Sequence, residues 1–415
     1  LQGAVEMCNN NGACRKLVGG VMCPSFRITR DEKDSTRGRA NILRLAMSGQ
    51  LGPDAMISDK MKESLKLCVS CKACKRECPT GVNVSSMKIE INALWAAKHS
   101  LSLHDRLIAY LPNYASVVAK VPWVMNLRDR IPGLPFISEK ITGFSSRRRL
   151  PIWRSDYFKS SEINSEPKGK LPVILFGDTF NRYFEPENLR SAVNVLKAAG
   201  YTPFAPIPKS NKKSEICCGK THLSVGNVGS AIVNAKQLVE TYLPYASAGI
   251  PIVGLEPSCL FTIKDELPML LKSEDADIVA KHVMTFEELL MANVNEIRFK
   301  PRKAKALLHG HCHQKAFDAM GPVEQILSYV DGLEVQPIVT SCCGMAGDFG
   351  YAADTFEYSV QMAELNLLPT VRKADRDTLI IADGTSCRSQ IFDGSGRQAI
   401  HVARFLEQQL LKGKN

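Results

Sequence analysis

The chain has 415 residues, 45% of them hydrophobic and 23% charged, with a formal net charge of +11. That balance fits a folded protein with chain enough for two or three domains and excludes disordered and collagen-like classes. A membrane channel is excluded as well. No run approaches the roughly 18 uninterrupted apolar residues of a spanning helix, and Lys120 and Pro122 break the best candidate, Tyr110 to Leu127.

The charge is lopsided. Residues 1–170 carry 28 Lys and Arg against 15 Asp and Glu, whereas 171–415 carry 25 against 27. A basic first part would suit nucleic acid, anionic lipid, or negatively charged clusters held by thiolates. The scarcity of interleaved aromatics argues against nucleic acid, and the cysteines favour the clusters. There are 14, in two groups of seven: Cys8, Cys14, Cys23, Cys68, Cys71, Cys74 and Cys78, then Cys217, Cys218, Cys259, Cys312, Cys342, Cys343 and Cys387. So long a chain needs no disulfide staples and shows no secretion signal, so reduced thiolates holding metal in a cytoplasmic protein are expected. The opening Leu1-Gln2-Gly3 has no initiator Met and reads as a chain cut from something longer.

Taken in chain order, Cys8, Cys14 and Cys23-Pro24 come first and form a reduced copy of the next cysteine run. That run, Cys68 to Pro79, reads C-x2-C-x2-C-x3-C-P, the two-cluster ferredoxin spacing in which three cysteines wrap one cubane and the fourth serves another. Zinc ribbons place their cysteine pairs well apart, so zinc fits poorly. The crossed pattern predicts Cys68, Cys71, Cys74 and Cys23 at one 4Fe-4S cluster, with Cys8, Cys14 and Cys78 at a second. Asn11 stands where the middle cysteine of the upstream triplet would be. The second site is therefore expected to hold either a 4Fe-4S cluster with a non-cysteine ligand or an open iron, or a three-iron cluster.

Between the runs, Ile42, Leu43, Leu45 and Ala46 predict a helix capped by Ser35 and stopped at Gly49, and a second helix is predicted from Asn83 to His99. Residues 1–100 thus read as an α-helical two-cluster ferredoxin domain. Arg37, Arg39 and Arg44 would form a solvated helix face or meet an acidic partner. Residues 101–170 are rich in proline and include Arg147-Arg148-Arg149, which reads as a basic connector of short helices and loops. Trp123 and Trp153 would pack it onto its neighbours or touch a membrane surface.

From Leu171 apolar strands alternate with helical stretches, and the chain matches itself at an offset of 125 to 133 residues. Leu171 to Thr179 matches Lys305 to Cys312, Cys217-Cys218-Gly219 matches Cys342-Cys343-Gly344, and Ile252 to Cys259 matches Leu379 to Cys387. This predicts duplicated α/β domains, 171–300 and 301–415, with mostly parallel sheets whose thiols gather at the carboxyl ends of the strands. The second copy, with Cys312, Cys342, Cys343 and Cys387, is the expected metal site. The first, with Cys217, Cys218 and Cys259 but Thr179 in the fourth place, is expected to be vestigial or completed in another way. His309, His311 and His313 alternate beside Cys312, so an extended chain would turn them to one face as metal ligands, proton donors at a quinone or substrate pocket, or supporting donors. Asp348 and Asp383 have a weaker claim to proton transfer.

Cysteine-rich Cys-Cys-Gly duplicates behind a two-cluster ferredoxin region resemble the iron-sulfur subunits of glycolate oxidase and anaerobic glycerol-3-phosphate dehydrogenase and, more distantly, the Cys-Cys-Gly subunit of heterodisulfide reductase. The segments from Cys8 to Arg15, Met22 to Glu32, Ser35 to Asn41 and Leu67 to Cys74 look like the C-terminal half of bacterial enzymes that fuse an FAD-binding oxidase to an iron-sulfur region, the D-2-hydroxyglutarate and D-lactate dehydrogenase types. The resemblance runs over residues 1–410. In that family the Cys-Cys-Gly site ends C-x2-C, whereas here Gln390 follows Cys387 at that spacing. The resemblance implies an oxidoreductase in which FAD, on the missing half or a partner subunit, oxidises a 2-hydroxy acid. The clusters of this chain would then carry electrons to a quinone or other acceptor, with peripheral contact at the inner face of the membrane. Heterodisulfide-type thiol chemistry at the Cys-Cys-Gly site is the alternative.

Overall fold

The computed structural model describes residues 1–208 and 215–411. The first part is built from short helices set by local caps. Ser35 Oγ accepts from Gly38 N at 2.9 Å to start Thr36–Met47, and Asn83 Oδ1 accepts from Ser86 N at 3.3 Å to start Val84–His99, as the capping preferences of Ser and Asn dictate. The two Cys-Pro pairs act differently. Pro79 follows the end of Ala73–Glu77, whereas Pro24 is the first residue of Pro24–Thr29, where its missing N–H costs nothing. This is a helical domain in front of two α/β sheets. The helix face read as either solvated or meeting an acidic partner is in part core. Arg39 is 1% exposed and its Nη2 donates to Ser25 Oγ at 3.0 Å, because the domain folds Pro24–Thr29 over it.

Helices Leu103–Ala109, Leu111–Val118, Pro122–Asn126 and Leu134–Thr142 follow. Trp153 is buried, its ring 4.7 Å from that of Phe184, while Trp123 is 59% exposed. Arg148, from the basic triplet, is buried and donates to Asp393 Oδ2 at 3.0 Å, so it braces the fold rather than facing solvent. Among the described residues no helix is long and apolar enough to cross a membrane.

Two parallel sheets make up the rest. Strands β1 (Pro172–Phe176), β2 (Thr202–Phe204), β3 (Ile252–Gly254) and β4 (Val283–Thr285) lie in the order β2-β1-β3-β4. Strands β5 (Ala304–Leu308), β6 (Leu333–Pro337) and β7 (Leu379–Ile381) lie in the order β6-β5-β7, with Ile400 bridging Ile381 in parallel on the far side of β7. Strands β1 and β3 are short apolar runs, and β5 and β7 are buried over their last residues, as helix-connected parallel strands require.

One core joins the sheets: Val173, Leu175 and Val253 pack in a single cluster with Ala306, Leu308, Ile381 and Phe405. A second core is continuous from the ferredoxin-like part, through Leu43, Met87 and Ile91, to Leu307, Ile380 and Ile391 around β5 and β7. All four thiols near the second sheet, with five of the seven early ones, lie within it. A third cluster serves the first sheet alone. Packing of this kind brings cysteines hundreds of residues apart toward one region.

Candidate functional site

The C-x2-C-x2-C loop rests between the carboxyl ends of the two sheets. Cys23, Cys68, Cys71 and Cys74 line one concavity, together with Ser25, Thr36 and Arg39. Burial, with Cys68 and Cys23 adding to it, pushes the Cys74 thiol up to about 12. Burial also pushes Cys71 well up, helped by Cys312, Cys74 and Cys23. Buried thiols raised in this way, Cys71 and Cys74, ionise only with positive charge near them. The surroundings supply some: Arg39 Nη1 lies 3.6 Å from Cys23 Sγ, and the N–H groups of Val84 and Ser85, at the start of Val84–His99, hydrogen-bond to Cys74 as helix N-termini do with anions. A donor set of this kind fits a thiolate-held iron-sulfur cluster.

The remaining early thiols are placed apart from these. Arg37 N donates to Cys14 Sγ at 3.3 Å, and Arg44 Nη2 donates to the Cys8 carbonyl at 2.8 Å. Burial works against ionisation of Cys78, yet hydrogen bonds from Thr80, the Val82 N–H and Asn11 hold its thiol below the usual range. Asn11 is therefore brought to Cys78, but its Oδ1 already accepts from Ala13 N at 2.9 Å.

At the second sheet, the cysteines follow β5, β6 and β7 directly or by a short turn. Cys312 is the first residue of Cys312–Ala316, and Cys387 lies in the first turn of Thr385–Ser395. Hydrogen bonds link Cys312 with Cys342, Cys342 with Cys343, and Cys343 with Cys387. The first of these draws the Cys312 thiol down to about 7 against the effect of burial. Bonds from Cys342 and Cys387 hold Cys343 well below its ordinary value. The ligand atoms of His309, Cys343 and Cys387 all lie within 4.8 Å of one another. Gly344 follows at φ +84°, where a Cβ would lie 2.3 Å from the Ser359 carbonyl, so the turn that presents the two thiols against helix Phe356–Glu364 needs glycine.

The three histidines do not share a face, because the chain leaves the strand at His309 and turns into a helix. His309 stays with the thiols. His311 caps Cys312–Ala316, its Nδ1 accepting from His313 N at 3.1 Å. His313 points back to the ferredoxin loop, its Nε2 3.0 Å from the Ser70 carbonyl. Asp383 accepts from Gln314 Nε2 at 2.8 Å and Val402 N at 3.3 Å, and Asp348 is raised by burial and lies in the Gly347–Gly350 turn.

At the first sheet, Cys217 is hydrogen-bonded to Cys218, and Cys218 to Cys259. Asp178 caps Thr179–Tyr183 as His311 caps its helix, which puts Thr179 at the first helical position, the place Cys312 holds in the other. Burial, then Glu256, pushes the Asp178 carboxyl up to about 6.

Lys72 was invisible to sequence reading. Buried between two cysteines of the loop, it sends Nζ to Asp265 Oδ2 at 3.1 Å, to Glu266 and to the Phe261 carbonyl at 3.4 Å. Lys315 is a second such residue: its Nζ donates to Thr340 O at 3.0 Å beside the four late thiols.

Residues 4–82 match the 4Fe-4S dicluster domain family. The chain is 25% identical to D-2-hydroxyglutarate dehydrogenase of Pantoea ananatis over 95% of its own length and 42% of that protein's. It is 24% identical to one subunit of the anaerobic glycerol-3-phosphate dehydrogenase of Escherichia coli K12, covering 74% of this chain and 78% of the relative. Against the glycolate oxidase iron-sulfur subunit of the same organism the identity is 21%, over 98% and 95%. These homologues are oxidoreductases, and the chain matches their iron-sulfur part. It spans 42% of the length of the Pantoea ananatis dehydrogenase.

Proposed function

We propose that the chain is the electron-transfer portion of an FAD-linked 2-hydroxyacid dehydrogenase, taking electrons from a flavin on a separate domain or subunit and delivering them to a quinone or other acceptor. The observation that carries this reading is the convergence of Cys23, Cys68, Cys71 and Cys74 on one concavity, beside a second thiol set whose Cys312 acts electrostatically on Cys71. Bound there, 4Fe-4S clusters supply one-electron transfer of the kind a two-electron flavin donor needs downstream.

In this reading Cys23, Cys68, Cys71 and Cys74 hold one cluster, and Cys8, Cys14 and Cys78 hold another, with Asn11 as a hydrogen-bond donor to Cys78. The Cys312, Cys342, Cys343 and Cys387 set is a third metal site. The segments 171–300 and 301–415 are duplicated units; their sheets share a strand order, and capped helices follow equivalent strands. The first copy, with Thr179 in place of a thiol, is the degenerate one. The chain's own residues exclude water, set the charge around the thiols through Arg39 and Lys315, and clamp the ferredoxin loop through Lys72 and His313.

Anaerobic loading of the chain with iron and sulfide, followed by iron analysis and electron paramagnetic resonance, tests the reading. Two cubanes predict about eight irons, and more with the third site filled. A colourless chain that retains only zinc would sink it.

A further inference from the structure

The metal site at the second sheet has a nitrogen donor built into it. His309 is 1% exposed. Its Nδ1 lies 3.2 Å from Thr340 Oγ1, and that oxygen also accepts from Lys315 Nζ at 2.9 Å. The ammonium takes one lone pair of the hydroxyl and leaves the other for an Nδ1–H. With Nδ1–H donating to that oxygen, Nε2 carries a free lone pair; the reverse bond, from the hydroxyl to Nδ1, would put the proton on Nε2, so ligation through Nε2 requires the first arrangement. Nε2 is buried with no nitrogen or oxygen partner; the ring is paired with the Cys343 thiol, and its ligand atom lies within 4.8 Å of those of Cys343 and Cys387. A metal-ligating imidazole typically has this arrangement, with one nitrogen held from behind and the other presented to the metal.

Gln390 offers no competing donor. It lies one turn beyond Cys387 on the same helix, but it is buried and turned aside: its Oε1 accepts from Arg148 Nη1 at 2.7 Å, and its Nε2 donates to Ser359 O at 3.2 Å. His311 Nδ1 is taken by a cap, and His313, held through Nε2 by the Ser70 carbonyl, also has an unpartnered Nδ1, but among the described residues only the His309 ring is grouped with Cys343 and Cys387. Cys343, Cys387 and His309 lie together within 4.8 Å, and hydrogen bonds link Cys342 and Cys312 to them in turn, which makes five donors in all. That is one more than a tetrahedral ion takes, which selects a polynuclear centre.

We propose that His309 Nε2 is a ligand of a polynuclear iron-sulfur centre held by Cys312, Cys342, Cys343 and Cys387, with Thr340 and Lys315 fixing the imidazole from behind. The proposal rests on reading the Cys312 set as a metal site. Replacing a thiolate by neutral imidazole removes negative charge from the centre, so it titrates at a more positive potential than an all-cysteine version.

The test is made on the full chain loaded anaerobically with iron and sulfide after growth on 15N-histidine. The native protein is expected to show a 15N hyperfine coupling on one reduced centre. His309→Cys should keep the iron, lose the coupling and move that centre to a more negative potential. Thr340→Val should keep the iron and alter the coupling, and His313→Gln should leave it unchanged. A native chain with no nitrogen coupling, whose iron drops in Cys343→Ser but not in His309→Ala, would overturn the ligand assignment and leave the site standing. Iron content unchanged in both Cys343→Ser and Cys312→Ser would overturn the site itself, and the proposal with it.

Discussion

His313 Nε2 lies 3.0 Å from the Ser70 carbonyl oxygen, which can only accept, so the imidazole donates and joins the loop between Cys68 and Cys71 to the helix that begins at Cys312. Burial, then His311 and Lys72, keeps the ring pKa well below the usual histidine value, so the link is made by neutral imidazole. His313→Phe keeps most of the ring's volume and leaves the carbonyl of Ser70 unpaired. The metal-loaded variant should lose about 1–3 kcal/mol of unfolding free energy, read from its denaturation midpoint at constant slope. A loss under about 0.5 kcal/mol would show that water replaces the imidazole.

Lys72 makes the matching link to the first sheet. Its side chain and that of Glu266 are 1% and 4% exposed, and Lys72 Nζ lies 5.3 Å from the centre of the Phe317 ring, which stacks on Phe261. Removing one member of a buried pair costs about 3–5 kcal/mol because the other charge is left behind. Asp265 keeps Lys75 as a partner, so the orphan in Lys72→Met is Glu266, whose nearest remaining ammonium is Lys220 at 3.8 Å. Lys72→Met should therefore be destabilised by that order, and Lys72→Met with Glu266→Gln should recover a large part of it. Equal losses in the single and double variants would place the cost in packing instead.

Sequence reading reached the parts that depend on local spacing. Cys68 to Pro79 announces its turns, Ser35 and Asn83 announce helix starts, and the strands before Cys312 and Cys387 are short apolar runs with glycine nearby. The meeting of Cys23 with Cys68, Cys71 and Cys74 follows from the same cluster logic. What spacing cannot carry is partnership across the chain: Lys72 finds its carboxylates in a π turn, Thr262–Glu266, and Arg39 turns inward because Pro24–Thr29 covers it. The alternation of His309, His311 and His313 suggested a strand face, but the strand ends at Leu308 and helix capping takes the next turn. Tertiary packing overrode a period-two pattern.

His222 gives a pH dependence whose sign follows from burial. It is 2% exposed, its ring sits edge-on to Tyr110 at 5.2 Å, and its Nδ1 lies 3.4 Å from Asn227 Nδ2. Burial lowers its pKa from 6.5, so the unfolded chain binds this proton more readily than the folded one. Stability linked to His222 is fully present above about pH 6.5 and is lost as pH falls toward the lowered folded value. Unfolding free energy measured from pH 7.5 down to 5 should fall less steeply in His222→Phe than in the native chain. Parallel curves would mean that the imidazole protonates in place, with Tyr110 moving aside.

The crossed ligand pattern makes Cys23 and Cys78 exchange loyalties, and this can be checked one cysteine at a time. Cys23 shares a concavity with Cys68, Cys71 and Cys74, although 44 positions lie between it and Cys68. Cys78 follows Cys74 directly in the run, yet it is hydrogen-bonded to Asn11 and Thr80 and does not line that concavity. If proximity in sequence decided ligation, Cys78→Ser and Cys71→Ser would damage the same centre. The geometry predicts otherwise. Cys23→Ser and Cys71→Ser should lose the same paramagnetic signal and about four irons. Cys78→Ser and Cys14→Ser should spare that signal and lose the other. Cys23→Ser that removed the signal lost in Cys78→Ser would reverse the assignment of the two sites. Arg39 provides an independent check, since its guanidinium touches Cys23 and not Cys78: Arg39→Lys keeps a cation near Asp34 but withdraws the planar donor from Cys23, and it should shift the potential of the Cys23 centre alone.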